Sequence, residues 1–70
     1  MDKRYTLTRT VEEKEELLNF NWYKLSLKKP KYTLTIDNYE INHYQNKKYT
    51  YRFFIRENAL FKIEVYERSK

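Results

Sequence analysis

Seventy residues with 15 Lys and Arg against 10 Asp and Glu carry a formal charge of +5, with no Cys, no Gly and 19% aromatic residues. A chain this short buries only about 60% of the surface its unfolded form exposes, so it makes one small domain of marginal stability, a reason to expect self-association. Neither disulfides nor thiolate metal sites are available to it, and no apolar run approaches the roughly 18 residues that a transmembrane helix requires.

Met1-Asp2-Lys3-Arg4 leads into no apolar stretch of signal-peptide character, so a cytoplasmic protein is expected. Tyr5-Thr6-Leu7-Thr8 alternates with β-branched Thr and reads as a short strand, whose place in a sheet the pattern does not assign. Thr10-Val11-Glu12-Glu13 fits a capping box, in which the Thr hydroxyl accepts from the third helical N–H and the Glu reaches back. The pattern predicts a helix over about 11–20, with Val11, Leu18 and Trp22 along one stripe and Leu17 beside it. Such a short, charged helix needs packing to persist. Trp22 is placed either under this helix or on the outside of the sheet that follows.

From Trp22 onward the alternation reads as strand, over about 22–28, 31–37, 39–45, 48–56 and 59–67. The expected fold is α+β: a short N-terminal strand, one helix and a five-stranded antiparallel meander. The helix packs on one face, and the sheet is either open or curled toward a small barrel. Register follows from the rule that cross-strand partners share a face. A two-residue Asp37-Asn38 turn pairs Ile36 with Tyr39, Leu34 with Ile41 and Tyr32 with His43. A three-residue Glu57-Asn58-Ala59 loop pairs Ile55 with Phe61, Phe53 with Ile63 and Tyr51 with Val65. A three-residue Gln45-Asn46-Lys47 loop then sets Glu40 against Arg52, and a four-residue Lys28–Lys31 loop pairs Leu27 with Tyr32.

In that register Tyr23, Leu25, Leu27, Tyr32, Leu34, Ile36, Tyr39, Ile41, Tyr49, Tyr51, Phe53, Ile55, Phe61, Ile63 and Val65 share the inner face. Arg52 lies outside, at the centre of a Glu40–Arg52–Glu64 ladder whose pairs are worth roughly 0.2–1 kcal/mol each. His43 falls between Tyr32 and Tyr49 as a core residue. With only phenols around it and no second His, neither general-base catalysis nor a zinc site is expected.

The positive charge is local: residues 21–56 hold eight cationic and two acidic side chains, a net of +6, while residues 1–20 sum to −1 and residues 57–70 to 0. Successive antiparallel loops alternate ends, so one end gathers Lys28, Lys29, Lys31, Lys47 and Lys48, with Arg68 and Lys70 near by. Such a cluster attracts anionic partners in a salt-sensitive way, although loop lysines also serve solubility and blunt sheet edges. Trp22, Phe54, Tyr44 and Tyr66 are expected on the outer face, Tyr44 and Tyr66 toward the lysine end. There they suit either a protein interface or base stacking above a phosphate-tracking groove.

No catalytic motif, metal-ligand spacing, Gly-rich clamp or nucleic-acid signature occurs. Scarce Gly, Ala and Pro with abundant Lys, Asn, Tyr and Ile are what an AT-rich genome yields. Together these features suggest a non-enzymatic inhibitor or modulator of another protein, of low-GC bacterial or phage character, without cofactor and without membrane attachment. Its partner-binding set is Lys28, Lys29, Lys31, Tyr44, Lys47, Lys48, Phe54, Tyr66 and Arg68. The alternative is a nucleic-acid-binding module using the same end. The acidic run Glu12–Glu16 offers a route to a homo-oligomer, by meeting the lysine end of a second copy.

Overall fold

In the computed structural model, which describes residues 4–19, 22, 24, 25 and 27–68, the alternating stretches rich in Thr and aromatics become strands. These are β1 (Tyr5–Val11), β2 (Tyr32–Ile36), β3 (Tyr39–Gln45), β4 (Tyr49–Arg56) and β5 (Ala59–Arg68), with a short helix α1 (Lys14–Leu17) after β1. They form one antiparallel sheet in the order β1-β5-β4-β3-β2, open at β1 and β2. The expectations for Phe20, Tyr23 and Lys70 lie outside the described residues.

Two expected elements are different. Thr10 and Val11 belong to β1, where they pair with Glu64 and Ile63, so the capping box is consumed by a strand. The helix is only four residues long; Glu13 is its N-cap and makes no side-chain capping bond. Among its residues Leu17 alone is buried. The predicted strand over 22–28 does not form either, since Trp22, Lys24 and Leu25 have helical backbone. Leu27 N–H donates to Lys24 C=O (3.2 Å) and Lys28 N–H to Leu25 C=O (3.1 Å). The physical reason is spacing. Trp22 and Leu25, three apart, fall on one side of a helical turn and both pack on the core. The fifth strand of the sheet is therefore β1, and β2 is left as an edge.

The β2–β3 register is the expected one, Ile36↔Tyr39, Leu34↔Ile41 and Tyr32↔His43, with Asp37 at φ 50° in the turn. Between β4 and β5 the pairs Tyr51↔Val65, Arg52↔Glu64 and Phe53↔Ile63 also form as expected. They arise in another way: a two-residue turn holds Glu57 and Asn58 at φ 51° and 63°, pairing Arg56 with Ala59 and Ile55 with Leu60. A bulge at Phe61 then restores the register from Phe54↔Lys62 onward.

The β3–β4 register departs from expectation. Asn46 N–H donates to Tyr49 C=O (2.9 Å), and the Asn46 Oδ1 accepts from Lys48 N–H (2.9 Å) and Tyr49 N–H (2.7 Å). The Asn side chain thus closes a tight Lys47-Lys48 turn. Tyr44 consequently faces Tyr51, and Glu40 faces Ile55 rather than Arg52. An odd slip moves the whole of β3 and β2 to the other side of the sheet relative to β4. The single inner face is corrected to two. Val11, Tyr44, Tyr51, Phe53, Ile63 and Val65 share one side, and Tyr32, Leu34, Ile36, Tyr39, Ile41, His43, Arg52, Phe54 and Glu64 the other.

The core cluster joins Val11, Leu17, Tyr44, Phe53, Ile63 and Val65, with Trp22, Leu25, Tyr49, Tyr51 and Leu60 against it. Phe53 and Ile63 are fully enclosed at 0% exposure, and burial of such side chains stabilises by about 1.5–3 kcal/mol each. Phe54, on the opposite side of the same strand, is also buried. The central strand β4 therefore buries an aromatic ring on each side of the sheet, while Arg52 and Arg56 on the Phe54 side stay partly or fully exposed.

Candidate functional site

The Lys28–Lys31 segment and the β3–β4 turn lie at one end of the sheet. There Lys28, Lys29, Lys31 and Lys47 line a groove of about 640 Å³ together with Leu25, Tyr44, Gln45, Asn46 and Tyr51. Lys48 lies beside it with its Nζ 5.4 Å from the Tyr49 ring centre, and Arg68 N–H donates to Lys48 C=O (2.9 Å). All six cationic residues among the nine singled out in the sequence thus come to one end. The aromatic members are placed differently. Tyr44 lies in the core, its ring edge-on to Phe53 at 5.0 Å, and burial pushes its phenol pKa up. Phe54 and Tyr66 are buried on the other side of the sheet, so Tyr44 does not share a face with them. Trp22 is partly buried against the core, edge-on to Tyr51 at 5.6 Å.

The Arg52 side carries a second concavity, a cleft of about 430 Å³ lined by Tyr5, Lys31, Tyr32, Leu34, His43, Gln45, Thr50, Arg52 and Tyr66. Lys31 Nζ donates to Gln45 Oε1 (2.9 Å), and Gln45 Nε2 donates to the Tyr5 hydroxyl (2.7 Å). Tyr5 and Gln45 stand on strands separated by β5 and β4, so their side chains reach toward each other across the sheet. Beneath that bridge Thr50 and Tyr66 are buried. Tyr32 stacks on His43, ring centres 4.4 Å apart and planes 12° from parallel. Burial, then the charges of Arg52 and Lys31, hold the His43 imidazole below its ordinary pKa. A neutral imidazole beside two cations is a hydrogen-bonding and stacking surface.

The expected charge ladder is half present. Arg52 Nη1 lies 3.6 Å from Glu64 Oε1, while Glu40 is on the opposite side of the sheet; Lys62 Nζ takes its place, 3.6 Å from Glu64 Oε2. The Tyr66 hydroxyl donates to Glu64 Oε1 (2.9 Å). Further along the face, Arg56 lies over Phe61 (4.7 Å) and Tyr39 (5.9 Å), and Lys62 and Arg52 flank Phe54 at 4.9 and 5.6 Å. These cation–π contacts hold cationic heads on an aromatic floor. Arg52, Arg56 and Lys62 outnumber Glu64 there, so β4 and β5 present net positive charge on this side. Sequence reasoning misses the cleft because it requires His43 beside Arg52, which follows only from the Asn46-closed turn.

Among the described residues no group of three or more His, Cys, Asp or Glu is placed to hold a metal, and no helix is long and apolar enough to cross a membrane. Comparison with known proteins gives no family model, no curated protein and no solved structure that matches the chain.

Proposed function

We propose that this chain is a small, non-enzymatic binding protein that inhibits or modulates another protein by covering an acidic surface on it. In this reading α1 and the Trp22–Leu25 turn occupy the Phe53 side, and the Arg52 side with the lysine-rich end is the contact. One observation carries it: Leu7, Tyr32, Leu34 and Ile36 remain 47, 46, 43 and 39% exposed on the side that also bears Arg52, Arg56 and Lys62. Large apolar side chains left in water beside a cationic rim suit a protein partner with an apolar centre and an acidic border. An inhibitor of phage or low-GC bacterial character, acting in the cytoplasm, fits this picture and the composition.

A nucleic-acid reading draws on the lysine groove and on the Tyr32–His43 stack, whose Tyr32 ring is exposed. Burial of Tyr44, Phe54 and Tyr66 removes three of the stacking groups it relies on.

Affinity capture from cell extract, with the wild type and with a Lys28→Glu, Lys29→Glu, Lys47→Glu variant as baits, tests the leading reading. A defined protein retained by the wild type and lost with the variant supports it. Titration of single-stranded and duplex oligonucleotides at two salt concentrations tests the other. Micromolar binding that weakens steeply with salt would transfer the assignment to nucleic acid, because released counterions set that slope.

A further inference from the structure

The two edges of the sheet are treated differently. β1 is interrupted by a bulge between Leu7 and Arg9, the Thr8 hydroxyl donates to Val65 C=O (3.2 Å), and Arg9 is paired with Glu16 and lies over Trp22 (5.9 Å). Bulges and charges are how sheets protect an edge from pairing. The other edge, β2, has neither. Its five residues, Tyr32-Thr33-Leu34-Thr35-Ile36, are all exposed, uncharged and β-prone, and their ladder to β3 is regular.

We infer that β2 is a self-pairing edge, through which two copies join antiparallel about a two-fold axis at Leu34 to make one ten-stranded sheet. The register follows from the sequence. Two-fold antiparallel pairing keeps each face continuous only when residues of like parity meet. Centring on Leu34 sets Leu34 against its own counterpart and Tyr32 against Ile36, while Thr33 meets Thr35. The whole strand is used, and apolar groups meet only apolar groups. Just beyond each end, this register sets Lys31 of one copy against Asp37 of the other, twice by symmetry. Centring on Thr33 or Thr35 loses both opposite-charge pairs. The Lys31 ammonium gives one hydrogen bond to Gln45 and retains two further donors for the carboxylate. The charge complementarity at the strand ends singles out a second copy of this chain as the occupant. The inference goes beyond the proposed function: pairing of the pure protein requires no other partner, and the joined face would present the Tyr32, Leu34 and Ile36 stripe twice.

Sedimentation velocity on the pure protein, from low micromolar to near-millimolar concentration, tests it, with far-UV circular dichroism confirming the fold of each variant. The wild type is expected to pass from monomer to dimer. Leu34→Lys sets two ammonium groups together at the axis and is expected to leave a monomer. Lys31→Asp, on an exposed residue, replaces two attractive pairs by repulsive ones and is expected to weaken the dimer roughly threefold to tenfold. In an Asp37→Asn background, which accepts the same positive φ, the Lys31→Asp effect is expected to shrink. A monomer at every concentration, a dimer that Leu34→Lys leaves intact, or a Lys31→Asp effect independent of Asp37 would overturn the inference. None of those outcomes alters capture of a protein by the lysine end.

Discussion

Lys62 places its Nζ 4.9 Å from the centre of the Phe54 ring, with the Arg52 guanidinium over the same ring at 5.6 Å. Phe54 therefore holds two cations in position as well as filling the space between β3 and β5. Phe54→Leu keeps apolar bulk but removes the ring, and is expected to destabilise by about 1–2 kcal/mol. Phe54→Ala is expected to cost about 3–5 kcal/mol. Urea unfolding followed by circular dichroism measures both. A Leu variant as stable as the wild type would mean that the cation–π contacts contribute nothing.

Register makes a separate prediction. A double-mutant cycle between Arg52 and Glu64 is expected to return a coupling of about 0.2–1 kcal/mol, since these side chains face each other and are only partly exposed. The same cycle between Glu40 and Arg52 is expected to return none, because Glu40 lies across from Ile55 on the other side of the sheet. Comparable coupling in the two cycles would restore the ladder expected from sequence.

The Glu57-Asn58 turn holds a poor residue for its geometry. Glu57 sits at φ 51°, where an ordinary side chain incurs roughly 1–2 kcal/mol of steric cost and Asn considerably less. Glu57→Asn is expected to raise stability by up to about 1 kcal/mol, and Asn58→Gly, at φ 63°, by about 0.5–1 kcal/mol. Thermal melts of the two variants check this; a lowered melting temperature would contradict the turn geometry.

His43 gives a pH signature of known sign. Its folded-state pKa lies below the ordinary 6.5 because of burial first, then Arg52 and Lys31. As the pH falls below 6.5 the unfolded chain takes up the proton before the native one does. Stability fully present above 6.5 is therefore lost progressively toward the lower folded-state pKa. His43→Gln lacks this component. The stability of the wild type relative to the variant is expected to fall between neutral and mildly acidic pH, read from urea midpoints. A pH-independent difference would show that His43 titrates alike in both states.

How much of this was legible in the sequence depended on whether one face dominated each strand. β2 and β3 paired as expected because the polar Asp37-Asn38 turn leaves a single register that matches Leu34 with Ile41. β4 offered no such guide. Phe53 and Phe54 are adjacent, on opposite sides, and both buried, so a rule that assigns one wet and one dry face has no purchase there. The deciding element was the Asn46 side chain, which closes the Lys47-Lys48 turn, and a short polar stretch does not announce such a bond. The Trp22–Leu25 segment alternates as a strand would, yet its Trp and Leu also stand at helical spacing, and packing on Tyr51 and its neighbours decides between them. The lysine gathering was readable because it depends only on which end each connection occupies, and that is insensitive to parity.

The bulge at Phe61 makes this hairpin a site where the chain can change length cheaply. Removing Phe61 would leave a regular two-residue hairpin in which Phe53 still opposes Ile63 and Arg52 still opposes Glu64, at the loss of one ring beside Tyr39 and Phe54. A one-residue deletion in the middle of β4 would instead exchange the two sides of everything downstream. Natural variants of this chain that differ in length should therefore carry their gaps at such bulges, beside this hairpin or at Thr8 of β1, and not inside β4.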